Sequence, residues 1–209
     1  MKVLLINGSP RARGNTRIAL EEMARTLEAE GIDTEIVWIG TKPVRGCIAC
    51  GKCKELGRCV FDDDICNTIA EKCEGADGFV FGSPVYYGQP NGALLAIQQR
   101  LLYSSGGKLQ GKPAAAVCIC RRGGGTAAFQ TLQMPFQMCN MPLVGSQYWG
   151  LVYGREPGQA AFDEEGMQTM RHLARNMAHL LRSLQATHPA PAFDEPWAGT
   201  HFVREDLMD

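Results

Sequence analysis

Apolar residues along this chain fall into short runs separated by longer amphipathic stretches. The runs are KVLLI at 2–6, TEIVWI at 34–39, GFVFGS at 78–83, AAAVCIC at 114–120 and PLVGSQYW at 142–149. Consecutive apolar positions over so short a length suit strands covered on both faces. Between the runs the period lengthens. Residues 15–30 place Ile18, Leu20, Met23 and Leu27 on one helical face, with Gly31 beyond the end. Further helices are predicted over 64–74, 91–104, 126–139 and about 160–185. Asp62, Asp63 and Asp64 stand at the start of the second helix, and Asp163, Glu164 and Glu165 near the start of the last. Carboxylates there suit the exposed amides of a first turn.

Strand then helix, five times over, predicts an α/β domain over 1–185 built on a doubly wound parallel sheet. Handedness rules leave few topologies, and five strands fit the flavodoxin-like order 2-1-3-4-5. Residues 46–64 become a cysteine-rich insertion after strand two, and the proline-rich 186–209 reads as an extended C-terminal tail. Ligands of such sheets bind beyond the carboxyl ends of the strands. The chemistry is therefore sought just after each strand.

Three strand ends are rich in it. After strand one, NGSPRARGNT offers Ser9, Arg11, Gly14, Asn15 and Thr16 ahead of a helix N-terminus, a setting that favours a phosphate. It is neither a P-loop nor a Gly-x-Gly-x-x-Gly turn, and a plain strand-to-helix turn with a polar cap would look similar. After strand three, Pro84, Val85, Tyr86, Tyr87 and Gly88 set two flat aromatic faces in a stiffened turn, although one tyrosine could instead pack on a helix or a second subunit. After strand four, Arg121, Gly123, Gly124, Gly125 and Thr126 let main chain come close to a ligand, with one or both of Arg121 and Arg122 free to stay solvated. A phosphate cradle, a ring shelf and a close-approach backbone on one sheet edge suit FMN. An adenine dinucleotide fits less well, because no acidic residue ends strand two.

The densest signal is GCIACGKCKELGRCVFDDD, where Cys47, Cys50, Cys53 and Cys59 follow the spacing C-x2-C-x2-C-x5-C. Short spacings let one loop supply several thiolates to an iron–sulfur cubane. The thiols alone leave three occupancies open: a cluster, zinc, or nothing. Cys66, Cys73, Cys118, Cys120 and Cys139 fall in predicted helices and strands and read as small core residues. Tyr148 and Trp149 could line the cofactor edge, a subunit contact or a loop. His172 and His179 share a helix face without a partner ligand, so no metal site is expected there.

Composition narrows the class. The 209 residues carry a net charge of −1 and no long basic run, which argues against nucleic acid. No run nears the roughly 18 apolar residues of a membrane span, and the N-terminal run is too short for a signal peptide. A cytoplasmic protein is expected, with its nine cysteines reduced or ligating metal.

The motifs GSPRARGNT, GCIACGKCKELGRCVFDDD, GSPVYYGQPNG, RRGGGT, GSQYWGLVYG and DEEGMQTMRHLARNMAHLL together resemble the NADPH-dependent FMN reductases of the flavodoxin-like superfamily, most of all the iron–sulfur flavoprotein branch. The resemblance implies FMN with its phosphate on residues 9–16 and its ring against 84–88 and 121–126. It implies a 4Fe–4S cluster on Cys47, Cys50, Cys53 and Cys59, and a homodimer or homotetramer with FMN near the interface. The expected activity passes electrons from NAD(P)H through FMN to a small acceptor such as a flavin or quinone. The rival expectation is a non-enzymatic electron carrier that docks with a ferredoxin-like protein.

Overall fold

In β1 (Lys2–Asn7) every side chain after Lys2 is buried, and the chain returns through α1 (Asn15–Ala29) to β2 (Asp33–Trp38). The computed structural model describes residues 1–186 together with Glu195 and Pro196. The tail expected over 186–209 thus lies outside the described residues, apart from Ala186, Glu195 and Pro196. After β2 come a short helix α2 (Cys53–Leu56), α3 (Cys66–Glu74), β3 (Gly78–Tyr86), β4 (Gln89–Pro90), α4 (Gly92–Leu109), β5 (Ala114–Cys120), α5 (Gly125–Met138), β6 (Leu151–Tyr153) and α6 (Glu164–Ala186). A 3-10 turn at Gln159–Phe162 leads into α6.

Strands β2-β1-β3-β5-β6 pair in that order, all parallel, and β4 pairs antiparallel with β3 off that path. This is the predicted order 2-1-3-4-5 once the two-residue β4 is set aside. Strand alternation divides the core in two. Leu4, Ile6, Phe79, Phe81, Ala116 and Cys118 face the side covered by α3, α4 and α5. Val3, Leu5, Val80, Ala115, Val117 and Val152 face the side covered by α1 and α6. Both faces are dry, which is why the strands read as unbroken apolar runs.

Helix α4, expected to end at 104, runs on to Leu109, α6 starts only at Glu164, and two strand boundaries differ as well. β3 runs on to Tyr86, so Pro84, Val85 and Tyr86 are strand residues, not loop. Pro84 is tolerated because Ser83 and Pro84 still find parallel partners in Cys118 and Ile119 of β5. The fifth strand was expected over 142–149 but forms at Leu151–Tyr153. Its predicted start keeps only a bridge, with Val144 N donating to Ala114 O at 2.9 Å and Ala114 N to Pro142 O at 2.9 Å. The chain then swings out through residues 145–149, leaving Tyr148 and Trp149 exposed. It re-enters at Gly150, where a Cβ would lie 2.4 Å from Ala116 O, so only glycine can approach the neighbouring strand there.

Candidate functional site

The carboxyl ends of β1, β3 and β5 converge through glycines. Gly8 N donates to Gly82 O at 2.8 Å, tying the first loop to the third strand. A Cβ on Gly8 would sit 2.5 Å from Leu94 Cδ2 and 2.9 Å from Gly82 O. The loop that follows is held by its own polar groups: Ser9 N donates to Asn7 Oδ1 at 3.1 Å and Arg11 N to Ser9 Oγ at 3.1 Å. Trp38, at the tip of β2, donates from Nε1 to Ser9 O at 2.7 Å. Gly14 then opens α1, and no side chain caps that helix. Its first-turn amides are therefore available to an anion. Ser9, Gly14 and Thr16 are buried beside that turn, and Arg11 is exposed.

Asn15 has a second role that the sequence hides. Its Nδ2 donates to Glu156 O at 2.9 Å and its Oδ1 accepts from Ala160 N at 3.2 Å. Asn15 thus anchors the turn before α6. Asn15→Ala is expected to lower stability by about 1–2 kcal/mol in chemical denaturation, the sum of two ordinary hydrogen bonds.

On the other side, β3 and β4 form a hairpin whose two turn residues, Tyr87 and Gly88, have φ of 50° and 77°. Positive φ at both positions matches the twist of the flanking strands. Tyr86 and Tyr87 are both exposed, so neither is absorbed by the chain's own core. Gly124, at φ 83°, presses on this hairpin: a Cβ there would come within 2.7 Å of Gly88 Cα. Residues 84–88 and 121–126 therefore meet main chain to main chain. Arg121, Gly123, Gly124 and Thr126 are exposed, while Gly125 is buried against Leu151 and Cys120 at the start of α5. A cleft of about 860 Å3 continues from Thr126 past Phe129 and Gln130 to Tyr148 and Trp149, whose rings lie 5.0 Å apart. Thr126 is the rim residue that lines it, and Ala116 and Val144 set its floor beside the outer strand.

The cysteine segment crosses from the tip of β2 to α3 and rests on α4. Cys47 and Cys50 are exposed, Cys53 half-buried and Cys59 buried. All four line one cavity, with Val60, Phe61, Arg100 and Tyr103. Left-handed residues Ala49, Gly51 and Gly57 wind the loop tightly enough to bring them there. The far end is pinned by Asn67, whose Oδ1 accepts from Cys59 N at 3.1 Å while Nδ2 donates to Cys59 O at 2.9 Å and Phe61 O at 3.0 Å. Among the described residues no three His, Cys, Asp or Glu side chains are arranged to hold a single metal ion. The cavity nonetheless gathers all four thiols of the segment, beside the hydroxyls of Tyr103 and Ser104 and with no carboxylate or imidazole in its lining, a donor set that fits a thiolate-held cluster. The other thiols are different. Burial pushes Cys66, Cys73 and Cys118 up to about 12, and burial also raises Cys120 and Cys139. As neutral, packed groups they are core residues, as expected.

The sequence reading missed Arg100 and Asn67, and it saw Asp64 only as a carboxylate at a helix start, a place the residue keeps by accepting from Cys66 N at 3.0 Å. Arg100 is buried on α4 and ion-paired with Asp64, whose side chain is 3% exposed. Burial alone would pull its guanidinium down; the hydrogen bonds to Asp64 and Cys59 outweigh that and leave it raised. One signal was available: position 100 continues the apolar face of Leu94, Ile97 and Leu101, where a charge needs a partner.

Comparison with known proteins bears on this geometry. The model of the NADPH-dependent FMN reductase family matches residues 1–156. The chain belongs to that family. An iron–sulfur flavoprotein of Methanocaldococcus jannaschii is 34% identical over 193 residues, covering 88% of this chain and all of that protein. One from Methanosarcina thermophila is 31% identical over 191 residues, covering 88% and 97%. Among solved structures, RosB with bound 8-demethyl-8-formylriboflavin-5'-phosphate superposes with a TM-score of 0.69 at 17% identity, over 98% and 96% of the two chains. That likeness speaks for the fold. Family membership makes the chain an oxidoreductase of the flavin class, and no described helix is long and apolar enough to cross a membrane.

Proposed function

We propose that this protein is an FMN-dependent oxidoreductase that takes electrons from NAD(P)H and delivers them to a small acceptor, with a 4Fe–4S cluster on Cys47, Cys50, Cys53 and Cys59. The contact of Gly124 with Gly88, beside the bond from Gly8 to Gly82, carries the flavin reading: it closes three strand ends into one rim. The names of the two relatives and the cavity that gathers four thiols support the cluster. When bound, FMN supplies two-electron hydride chemistry and the cluster one-electron chemistry.

The chain's own residues bind and orient. The amides of Asn15 and Thr16, with the Ser9 and Thr16 hydroxyls, receive the phosphate at the helix N-terminus, and Arg11 adds charge from solvent. The hairpin from Pro84 to Gly88 and the loop from Arg121 to Thr126 present main chain to the ring. Main-chain donors fixed in place need no rearrangement as charge develops on a ring, so they tune it without a side-chain acid or base. The exposed faces of Tyr86, Tyr87, Tyr148 and Trp149 suit a stacked nicotinamide, an aromatic acceptor or a second subunit of a homodimer or homotetramer. Exposure of Cys47, Ile48 and Cys50 favours a second reading, in which the cysteine loop docks a ferredoxin-like carrier.

Anaerobic purification with iron and flavin analysis tests this. The expected protein is brown-yellow, carries FMN, and holds iron in excess over flavin. NADPH is expected to bleach the flavin rapidly; bleaching by reduced ferredoxin alone would favour the carrier. Cys53→Ser is expected to abolish the broad cluster absorbance and leave FMN bound. A colourless protein that refuses added FMN would end the flavin reading, and an unchanged spectrum in C53S would end the cluster reading.

A further inference from the structure

Arg100 is 1% exposed, and a guanidinium cannot shed its charge, so burying it demands acceptors around it. All of its acceptors lie between residues 45 and 64. Nε donates to Cys59 Sγ at 3.2 Å, Nη1 to Arg45 O at 3.2 Å and to the Asp64 carboxylate, and Nη2 to Phe61 O at 3.3 Å. The Phe61 ring lies 5.4 Å away. Asp62 and Asp63 are engaged elsewhere, by Arg58 and Arg45, on the exposed side of the loop. One carboxylate thus balances the buried cation, and one sulfur receives its Nε–H.

We propose that Arg100 is a positioning residue of the sulfur site: it aims Cys59 Sγ into the shared cavity and stabilises the added negative charge when a cluster held there is reduced. The inference rests on the cluster reading above. Reduction by one electron from the reduced flavin adds one negative charge, with no bond made or broken. Net charge and hydrogen bonds to ligand sulfur set the potential of such a centre. A fixed cation donating to one of those sulfurs favours the reduced state. Asp64 works against it by partly cancelling the charge, so the two residues pull the potential in opposite directions. A clamp that merely fastened the loop would show no such opposition.

The test is a redox titration of the full chain, loaded anaerobically with iron and sulfide, following cluster and FMN in the same sample. In Arg100→Met the cluster potential is expected to move negative, shifting the partition of electrons about tenfold toward FMN, the order of one charged hydrogen bond. In Asp64→Asn, which keeps an acceptor for Cys66 N, it is expected to move positive. Arg100→Lys, with its charge but without Nε, should fall between Arg100→Met and wild type. The FMN potential is expected to hold in all three. Wild-type potentials in R100M and D64N, with the cluster present, would overturn the role of Arg100 and leave the cluster reading standing. Should R100M fail to load, the sign in D64N decides: a potential at or below wild type overturns the inference. Wild-type protein that takes up no iron overturns both readings together.

Discussion

Gly124→Val is expected to cost the protein its flavin. Gly124 has φ 83°, a region that L-residues enter at a cost of roughly 1–2 kcal/mol and β-branched residues hardly at all. The new Cβ would also stand 2.7 Å from Gly88 Cα, and that obstacle is backbone, which cannot swing aside like the end of a flexible side chain. Either residues 121–126 lift away from the hairpin, or the Tyr87–Gly88 turn is pushed off the start of α5. Both movements open the rim where the ring is expected to lie. Fluorescence titration of the apoprotein should show FMN affinity lowered by about 10–100-fold, the effect of misplacing main-chain donors by a fraction of an ångström. Gly124→Ala should show a smaller loss in the same direction. An unchanged affinity in the valine variant would mean that the two loops do not hold the cofactor jointly.

The second large effect is on folding. Asp64→Ala removes the carboxylate that balances Arg100, leaving a cation 1% exposed with only carbonyls and a sulfur around it. Breaking a buried ion pair from one side costs about 3–5 kcal/mol, because the surviving charge keeps its desolvation penalty. The same change removes the acceptor of Cys66 N at the start of α3, where Asp64 Oδ1 lies at 3.0 Å. The denaturation midpoint should fall sharply. Glu74→Ala, at the exposed pair with Lys108, should hardly move it, since solvent already screens that contact. Equal small effects from both variants would show that water reaches Arg100.

The fold was legible because both of its faces are dry. Alternation along β1, β3 and β5 serves two cores, so Leu4 and Leu5 are equally buried although they point in opposite directions. That gives short apolar runs between amphipathic helices, and the parallel order follows from chain rules. Boundaries were less legible where tertiary contact overrode local preference. Pro84 and Gly82 mark β3 as finished, yet β5 pairs with it as far as Pro84 and the two-residue β4 holds Val85 and Tyr86 extended. PLVGSQYW has the pattern of a strand, but the sheet takes it up only at the bridge of Leu143 and again after Gly150.

Within the candidate site, glycines carried the most information, because each of Gly8, Gly14, Gly124 and Gly125 marks a place where main chain comes close to something. Side-chain partners carried less. Nothing near Asn15 in the sequence announces Glu156 and Ala160, over 140 residues away. Arg100 was hidden for the opposite reason. On a helix an arginine is ordinarily solvated; its place on the apolar face of Leu94, Ile97 and Leu101 is the one hint otherwise, and the three-dimensional position of Cys59 and Asp64 shows what encloses it. The four clustered cysteines announced themselves by spacing, but their unequal exposure depends on the rest of the loop.

The broken outer strand has a consequence for life at high concentration. A β-sheet margin invites neighbours to add rungs to its ladder, and long, even margins seed aggregates. Here β6 contributes three residues before the backbone turns away, and the stretch ahead of it bows outward under Tyr148 and Trp149. An incoming chain finds a notched border too short to template upon, so the side nearest the cleft can stay open to small molecules without recruiting strands from other copies.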